Sequence, residues 1–216
     1  MAAMIVSLNE IESLTLKACR GAGMSWGLAE EAAQAARWLA LHGIPWETAL
    51  VDILVRRSDI AAPVREGLTL QPARTGAMLC PVHAGAAIAD LLDFDQTWTL
   101  VDLLQPVWLL PLLQRRLAAD AMLNLELPAG HMRLQARGFS EGGCDSTETG
   151  RALKVQIKMS RDARSSMVKP TTLVQSHKIA DTAAWKRLDA FGALTYVPAS
   201  LASRLAGAGA GVSDND

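Results

Sequence analysis

The residues best suited to chemistry are Cys80 and His83, in the run Cys80-Pro-Val-His83-Ala-Gly85. A thiol just ahead of a helix feels the positive end of the helix dipole, which lowers its pKa. A nearby imidazole can then hold it as thiolate, the nucleophile of a cysteine-dependent hydrolase or transferase. Pro81 restricts the turn between them, and free cysteine is among the most buried residue types. A small buried thiol beside an exposed imidazole is the plainer expectation. A second set of charges alternates along three extended segments. Arg133, Arg137, Lys154 and Lys158 share a face with His131, Gln135 and Gln156, opposed only by Glu126. Such a face matches a carboxylate or phosphate, which the arginine fork pairs bidentately. Antiparallel sheets also commonly turn one polar face to water, and that reading is favoured. No aromatic residue lies among these positions, so base stacking is not expected.

Two loops and the terminus offer weaker signals. Asp145 and Glu148, among hydroxyls in the 140–150 loop, are hard-cation ligand types, but their spacing fits no metal loop and a hairpin tip is the better reading. Arg161, Arg164 and Lys169, with serines between, read as an ordinary exposed loop. Gly207, Gly209 and Gly211 would need a surrounding βαβ unit to cradle phosphate. None is present, so a nucleotide site is rejected and a packed or frayed end is expected. The histidines 42, 83, 131 and 177 lack metal-ligand spacing, so no metal is expected, and no cofactor is called for. Six tryptophans against one tyrosine and three phenylalanines are expected in the core or lining a groove, with a partner for each N–H. Trp26 is the groove candidate. The Trp26-Gly27 turn, the Cys80 turn and the C-terminal glycines are expected to meet there, since pockets favour aromatic walls and close backbone.

The elements that must position these residues read as follows. Ser7 and Glu10 form a capping box, and Leu8, Ile11, Leu14 and Ala18 share the face of a helix ended by Gly21 and Gly23. Ser25 is placed to cap a second helix, with the stripe Leu28, Ala32, Ala35, Ala36 and Leu39, stopped by Gly43 and Pro45. Trp46, Ala49, Leu50, Ile53 and Leu54 predict a third. Residues 63–81 are turn-rich with short strands, 84–92 a helix, and 98–104 a strand. For 106–117, strand and helix cannot be separated by period. Leu123, Leu125 and Leu127, then Met132, Leu134 and Ala136, then Leu153, Val155, Ile157 and Met159 predict a three-strand antiparallel meander. Asp181 begins a further helix.

The expected fold is α+β: an N-terminal helical bundle, about 7–58, packed on a mostly antiparallel sheet, about 64–216, in one domain over 1–216. The net charge of −1 and pI near 6.4 set up no field for nucleic acid or an anionic membrane. The longest apolar stretch, 103–113, is too short for a bilayer. Three isolated cysteines without a C-x-x-C pair and no secretory leader pattern point to a reducing cytoplasm.

The blocks Arg20-Gly-Ala-Gly-Met-Ser-Trp-Gly27, Leu79-Cys-Pro81 and the Thr195–Asp216 terminus, with its Gly-Ala-Gly-Ala-Gly run and Asp-Asn-Asp end, resemble an uncharacterised, mainly proteobacterial family. The resemblance implies a bacterial cytoplasmic protein and supplies no activity. The opening helix pair alone is similar to that of the malate/lactate dehydrogenase family lacking a Rossmann fold. His42-Gly43 is not followed by that family's Ser-His, and the likeness reads as convergence on a helix–turn–helix pattern. The expected function is therefore small-molecule binding or an accessory role in bacterial metabolism. Arg133, Arg137, Lys154, Trp26, Gly207, Gly209 and Gly211 are the ligand-binding candidates, and Cys80 with His83 the catalytic alternative. The expected partner is a second copy or a metabolic protein.

Overall fold

The Ser7 N–H donates to Glu10 Oε2 at 2.7 Å and the Glu10 N–H to Ser7 Oγ at 3.2 Å, completing the capping box. It closes strand β1 (Ile5–Ser7) and opens α1 (Leu8–Gly21), which is followed by α2 (Trp26–Leu41) and α3 (Glu47–Val55). In the computed structural model the described residues are 4–94, 96–128, 130–136, 138–142, 150–161 and 176–196. Arg137, Gly207, Gly209, Gly211, residues 143–149 of the 140–150 loop read as a hairpin tip, and residues 162–170 of the basic loop lie outside them. Both interhelix turns use a glycine in the left-handed region, Gly23 at φ +81° and Gly43 at φ +71°. After each, the chain bonds back: Gly23 N–H to Arg20 O and Met24 N–H to Cys19 O, then Gly43 to Ala40 and Ile44 to Leu39. This paired pattern satisfies the last carbonyls of each helix. Ser25 occupies the start of α2 but makes no side-chain cap.

The chain continues through β2 (Ile60–Ala61), β3 (Pro63–Glu66), β4 (Thr69–Pro72), β5 (Met78–Leu79), α4 (Pro81–Leu91) and β6 (Thr97–Leu104). Then come α5 (Leu109–Gln114), β7 (Ala121–Leu127), β8 (Gly130–Gln135), β9 (Gly138–Gly142), β10 (Arg151–Arg161), β11 (Ser176–Lys178) and α6 (Thr182–Ala193). The ambiguous 106–117 stretch is a 3-10 turn running into α5. The fold is α+β as expected, with a mixed sheet whose long strands pair antiparallel.

The expected meander needs correction. The strand after β8 is β9, and β10 sits on the far side of β7, between β7 and β6. Alternation dictates which face a residue occupies, not which strand lies alongside. Leu153 is also misplaced, 65% exposed. Ala152 and Val155 point inward and Leu153 and Lys154 do not, opposite Asp102, whose φ is +53°. That distortion shifts the alternation by one residue. Asp102 Oδ1 accepts from Arg151 Nη2 at 2.7 Å.

The inward face carries Trp98, Leu100, Leu123, Leu125, Met132, Leu134, Val155 and Ile157, all buried. The helices α4 and α5 contact that sheet, and α2 packs on both. Gly85 on α4 fits against Leu112, whose Cδ1 would lie 2.4 Å from an added Cβ. Trp46, Trp98 and Trp108 are fully buried, yet their Nε1 atoms lack hydrogen-bond partners among the described residues. Contrary to the expectation for buried tryptophan, the large buried area outweighs the cost of an unmet donor.

Two contacts attach α6. Along its length it packs on α1, with Gly21 so close that a Cβ there would lie 1.8 Å from Phe191 O. At its start, Glu47 is 1% exposed and His177 6% exposed. Glu47 Oε1 accepts from the Ala180 N–H at 3.1 Å and lies 3.6 Å from His177 Nε2, while Oε2 accepts from the Trp46 N–H at 3.0 Å. Pairing of Val6 with His177 in β1–β11 sets the ring there. Asp181 then caps α6 through the N–H groups of Ala183 and Ala184 and accepts from Thr48 Oγ1 at 3.2 Å. Burial alone would raise the Glu47 pKa. His177 and the backbone N–H groups of Glu47, Ala180 and Trp46 together outweigh it and hold the carboxyl below its ordinary 4.5.

Gly21→Ala should cost about 3 kcal/mol in urea unfolding, because backbone must move to admit the methyl group. Gly27→Ala, with nothing within 4 Å of the added Cβ, should be neutral or gain up to about 1 kcal/mol. Equal effects at the two sites would refute the close contact. The depressed Glu47 pKa adds stability that is present above pH 4.5 and lost as pH falls through the folded value. The urea midpoint should therefore drop on acidification below 4.5, and less steeply in Glu47→Gln.

Candidate functional site

The α1–α2 turn divides two recesses, one on each side. On one side Cys80 occupies the position before α4, whose first residue is Pro81. It lines a cavity of about 130 Å³ with Met24, Leu28, Arg57, Ala61 and His83. The helix start does not yield a thiolate. Burial pushes the Cys80 thiol up, and the N–H groups of His83 and Val82, with Arg57, only partly oppose it. Cys19, also buried, is pushed up to about 12, first by burial and then by Cys80. Burial likewise lowers the His83 pKa, and among the described residues no hydrogen bond joins its imidazole ring to Cys80. A thiol that burial makes harder to ionise, with no hydrogen bond to the imidazole ring among the described residues, is not set up as a nucleophile–base pair.

The other recess forms where α1 ends, α2 begins and α6 runs out. The Schellman turn at Gly23 returns the chain so that Trp26 opens α2 beside the last turn of α1. Trp26 is 59% exposed, and two neighbours hold its ring. Its Nε1 donates to Glu30 Oε1 at 2.7 Å, one helical turn on. The Arg20 guanidinium lies 5.4 Å from the ring centroid and donates to the Met24 carbonyl. The close α1–α6 crossing delivers Leu194 and Thr195 opposite, the Thr195 hydroxyl donating to Gly192 O at 2.7 Å. Between these walls is a depression of about 520 Å³, also lined by Leu16, Lys17 and Gly21. Its volume falls in the range of about 300–1,000 Å³ usual for small-ligand sites. Lys17 Nζ donates to the Tyr196 hydroxyl at 3.2 Å and stands 5.6 Å from that ring, at the border of a second depression reaching Trp185 and Asp189.

The expected convergence is thus only partly present. Trp26 does not line the Cys80 cavity, though its neighbours Met24 and Leu28 do. The backbone that approaches closely belongs to Gly21, since Gly27 has open space. The sheet candidates stay apart from both recesses. Arg133 pairs across from Asn124, itself across from Lys158, while Lys154 lies opposite Val101 on the other neighbour. Arg133 and Lys154 are both exposed, as befits a solvated sheet face. Lys17, Arg20, Leu194 and Thr195 were not evident beforehand, because helix spacing places Lys17 and Arg20 on one face without saying which helix faces them.

A family model described as a protein of unknown function (DUF3726) matches residues 6–75, the region holding α1 to α3 and Trp26. No curated protein matches. The structure of malate dehydrogenase from Entamoeba histolytica is similar at 9% identity and a TM-score of 0.44, over 66% of this chain. The chain spans 50% of that enzyme, and a likeness this slight carries nothing over to the site. No helix is long and apolar enough to cross a membrane.

With its pKa raised from 9.0, Cys80 should react with iodoacetamide slowly in the native protein, with an inflection above pH 9.0. Peptide mapping of the labelled chain reads this directly. Rapid labelling of Cys80 near neutrality would restore the nucleophile reading.

Proposed function

We propose that the chain is a small-molecule-binding protein of bacterial metabolism, without a catalytic set of its own. Its ligand lies in the groove between α1, Trp26 and the end of α6. The state of Trp26 carries this reading: the ring is 59% exposed, yet Glu30 and Arg20 fix it in place. An exposed indole adds little to a core. A fixed one offers a large flat surface whose ordering is already complete before a ligand arrives.

An accessory-subunit reading draws on the same surface, where Leu194 and Tyr196 are 68% and 63% exposed. A second copy or a metabolic protein would cover them. The isolated cysteines and the resemblance of the Arg20–Gly27 and terminal blocks favour a bacterial cytoplasmic setting. The buried core shared by α1–α3 and the sheet favours one domain over 1–216. The sheet residues Arg133 and Lys154 and the Cys80–His83 pair are given no part in binding.

Native mass spectrometry of wild type and Trp26→Ala, each purified from the protein's own host, tests the proposal. A small molecule should accompany the wild type and be lost from Trp26→Ala, with Tm unchanged within about 2 °C. A bare wild-type species, or a ligand retained by the variant, would sink the groove. A bare dimer would favour the subunit reading.

A further inference from the structure

Among the described residues, the walls of the groove carry two cations and no anion. Lys17 and Arg20 are three positions apart on α1, hence on one face, and both line the groove with Leu16, Trp26 and Leu194. Neither pairs with a carboxylate among the described residues. Lys17 donates to the Tyr196 hydroxyl and Arg20 to the Met24 carbonyl, both uncharged acceptors. Three other arginines of the helical layer do pair with carboxylates: Arg37 with Glu12, Arg115 with Glu31 and Arg116 with Asp90. Among the described residues, two cations without a paired carboxylate therefore flank a largely apolar recess.

The two differ in what they can do. Arg20 is half-buried and its Nη1 is committed to Met24 O, while Nη2 and Nε make no hydrogen bond among the described residues. Stacked beside Trp26 and anchored at one nitrogen, its fork is already oriented, so an anion would bind it with little loss of side-chain freedom. Lys17 is exposed and supplies a point charge on a flexible stem, three positions before Arg20 on the same face. Among the described acids nearby, Glu30 accepts from the indole N–H of Trp26, while Glu10 and Asp189 line the adjoining depression that Lys17 borders.

Resting on the groove as a binding site, we infer that its ligand is an aromatic acid. A planar ring system lies against Trp26, Leu16 and Leu194, and its one anionic group sits between Lys17 and Arg20. Ring stacking supplies affinity, and the cation pair selects the charged form and raises the capture rate.

Two fluorescent probes that differ by one sulfonate separate this inference from the reading beneath it: 1-anilinonaphthalene-8-sulfonate and uncharged N-phenyl-1-naphthylamine. Each is titrated into the full chain. The sulfonate should bind at least about tenfold tighter, with the preference shrinking as salt is added. Lys17→Met, at an exposed position, should keep the fold and lower the preference about threefold. Arg20→Gln combined with it should remove the preference while the neutral probe still binds. Trp26→Ala should weaken both probes. Equal binding of the two by wild type, with both lost in Trp26→Ala, would leave the groove a binding site and overturn the aromatic acid. No binding of either probe, or binding of both by Trp26→Ala, would overturn the groove itself and the inference with it. An affinity for the sulfonate that falls as protein concentration rises would give the groove to a second copy and overturn both.

Discussion

The carbonyl oxygen of Phe191 stands where residue 21 would carry a Cβ, so α1 and α6 meet at backbone distance and only glycine fits between them. Much follows from that contact. It brings the end of α6 beside the end of α1, so Leu194 and Thr195 become the wall opposite Trp26. Gly192 lies one turn of α1 earlier, where an added Cβ would meet Lys17 and Ala18 at ordinary contact distance. Helices that approach so closely have few ways to slide, because each small residue admits one register. The groove is thus defined by rigid backbone rather than by a loop.

The other end of α6 is held by charge rather than by size. Glu47 is withdrawn from water and would favour protonation there, but it collects the Ala180 and Trp46 N–H groups and the His177 ring. A buried carboxylate with several partners specifies geometry more than it adds stability. Here it ties the start of α3, the β1–β11 ribbon and the residue before the α6 cap to one point. With Gly21 at one end and Glu47 at the other, α6 cannot rotate its final turn away from Trp26.

The two recesses beside the α1–α2 turn illustrate how burial sorts chemistry. Cys80 has the helix start and the neighbouring imidazole that thiolate chemistry asks for, yet desolvation decides its protonation. Trp26, Lys17 and Arg20 lie at the surface, where charge is retained and an aromatic face remains available. The features suited to recognition therefore belong with the exposed recess, and the buried thiols Cys19 and Cys80 belong with the core.

Local rules read from the chain were sufficient for the capping box at Ser7 and Glu10, the glycine turns after α1 and α2, the helices α1 to α4 and α6, and the alternating faces of β7, β8 and β10 from Val155 onward. Each depends on residues within a few positions of one another, so neighbouring side chains and backbone suffice. Strand order did not follow, because alternation is the same whichever strand lies alongside, and β10 found its place between β6 and β7 only through the shared core. Nor did the inversion at Leu153, which a left-handed Asp102 on the partner strand imposes. The residue types of the groove, Lys17, Arg20 and Trp26, were present in the sequence. Their meeting with Leu194 and Thr195 joins positions far apart in the chain, and it was decided by the tertiary fit of Gly21 against Phe191.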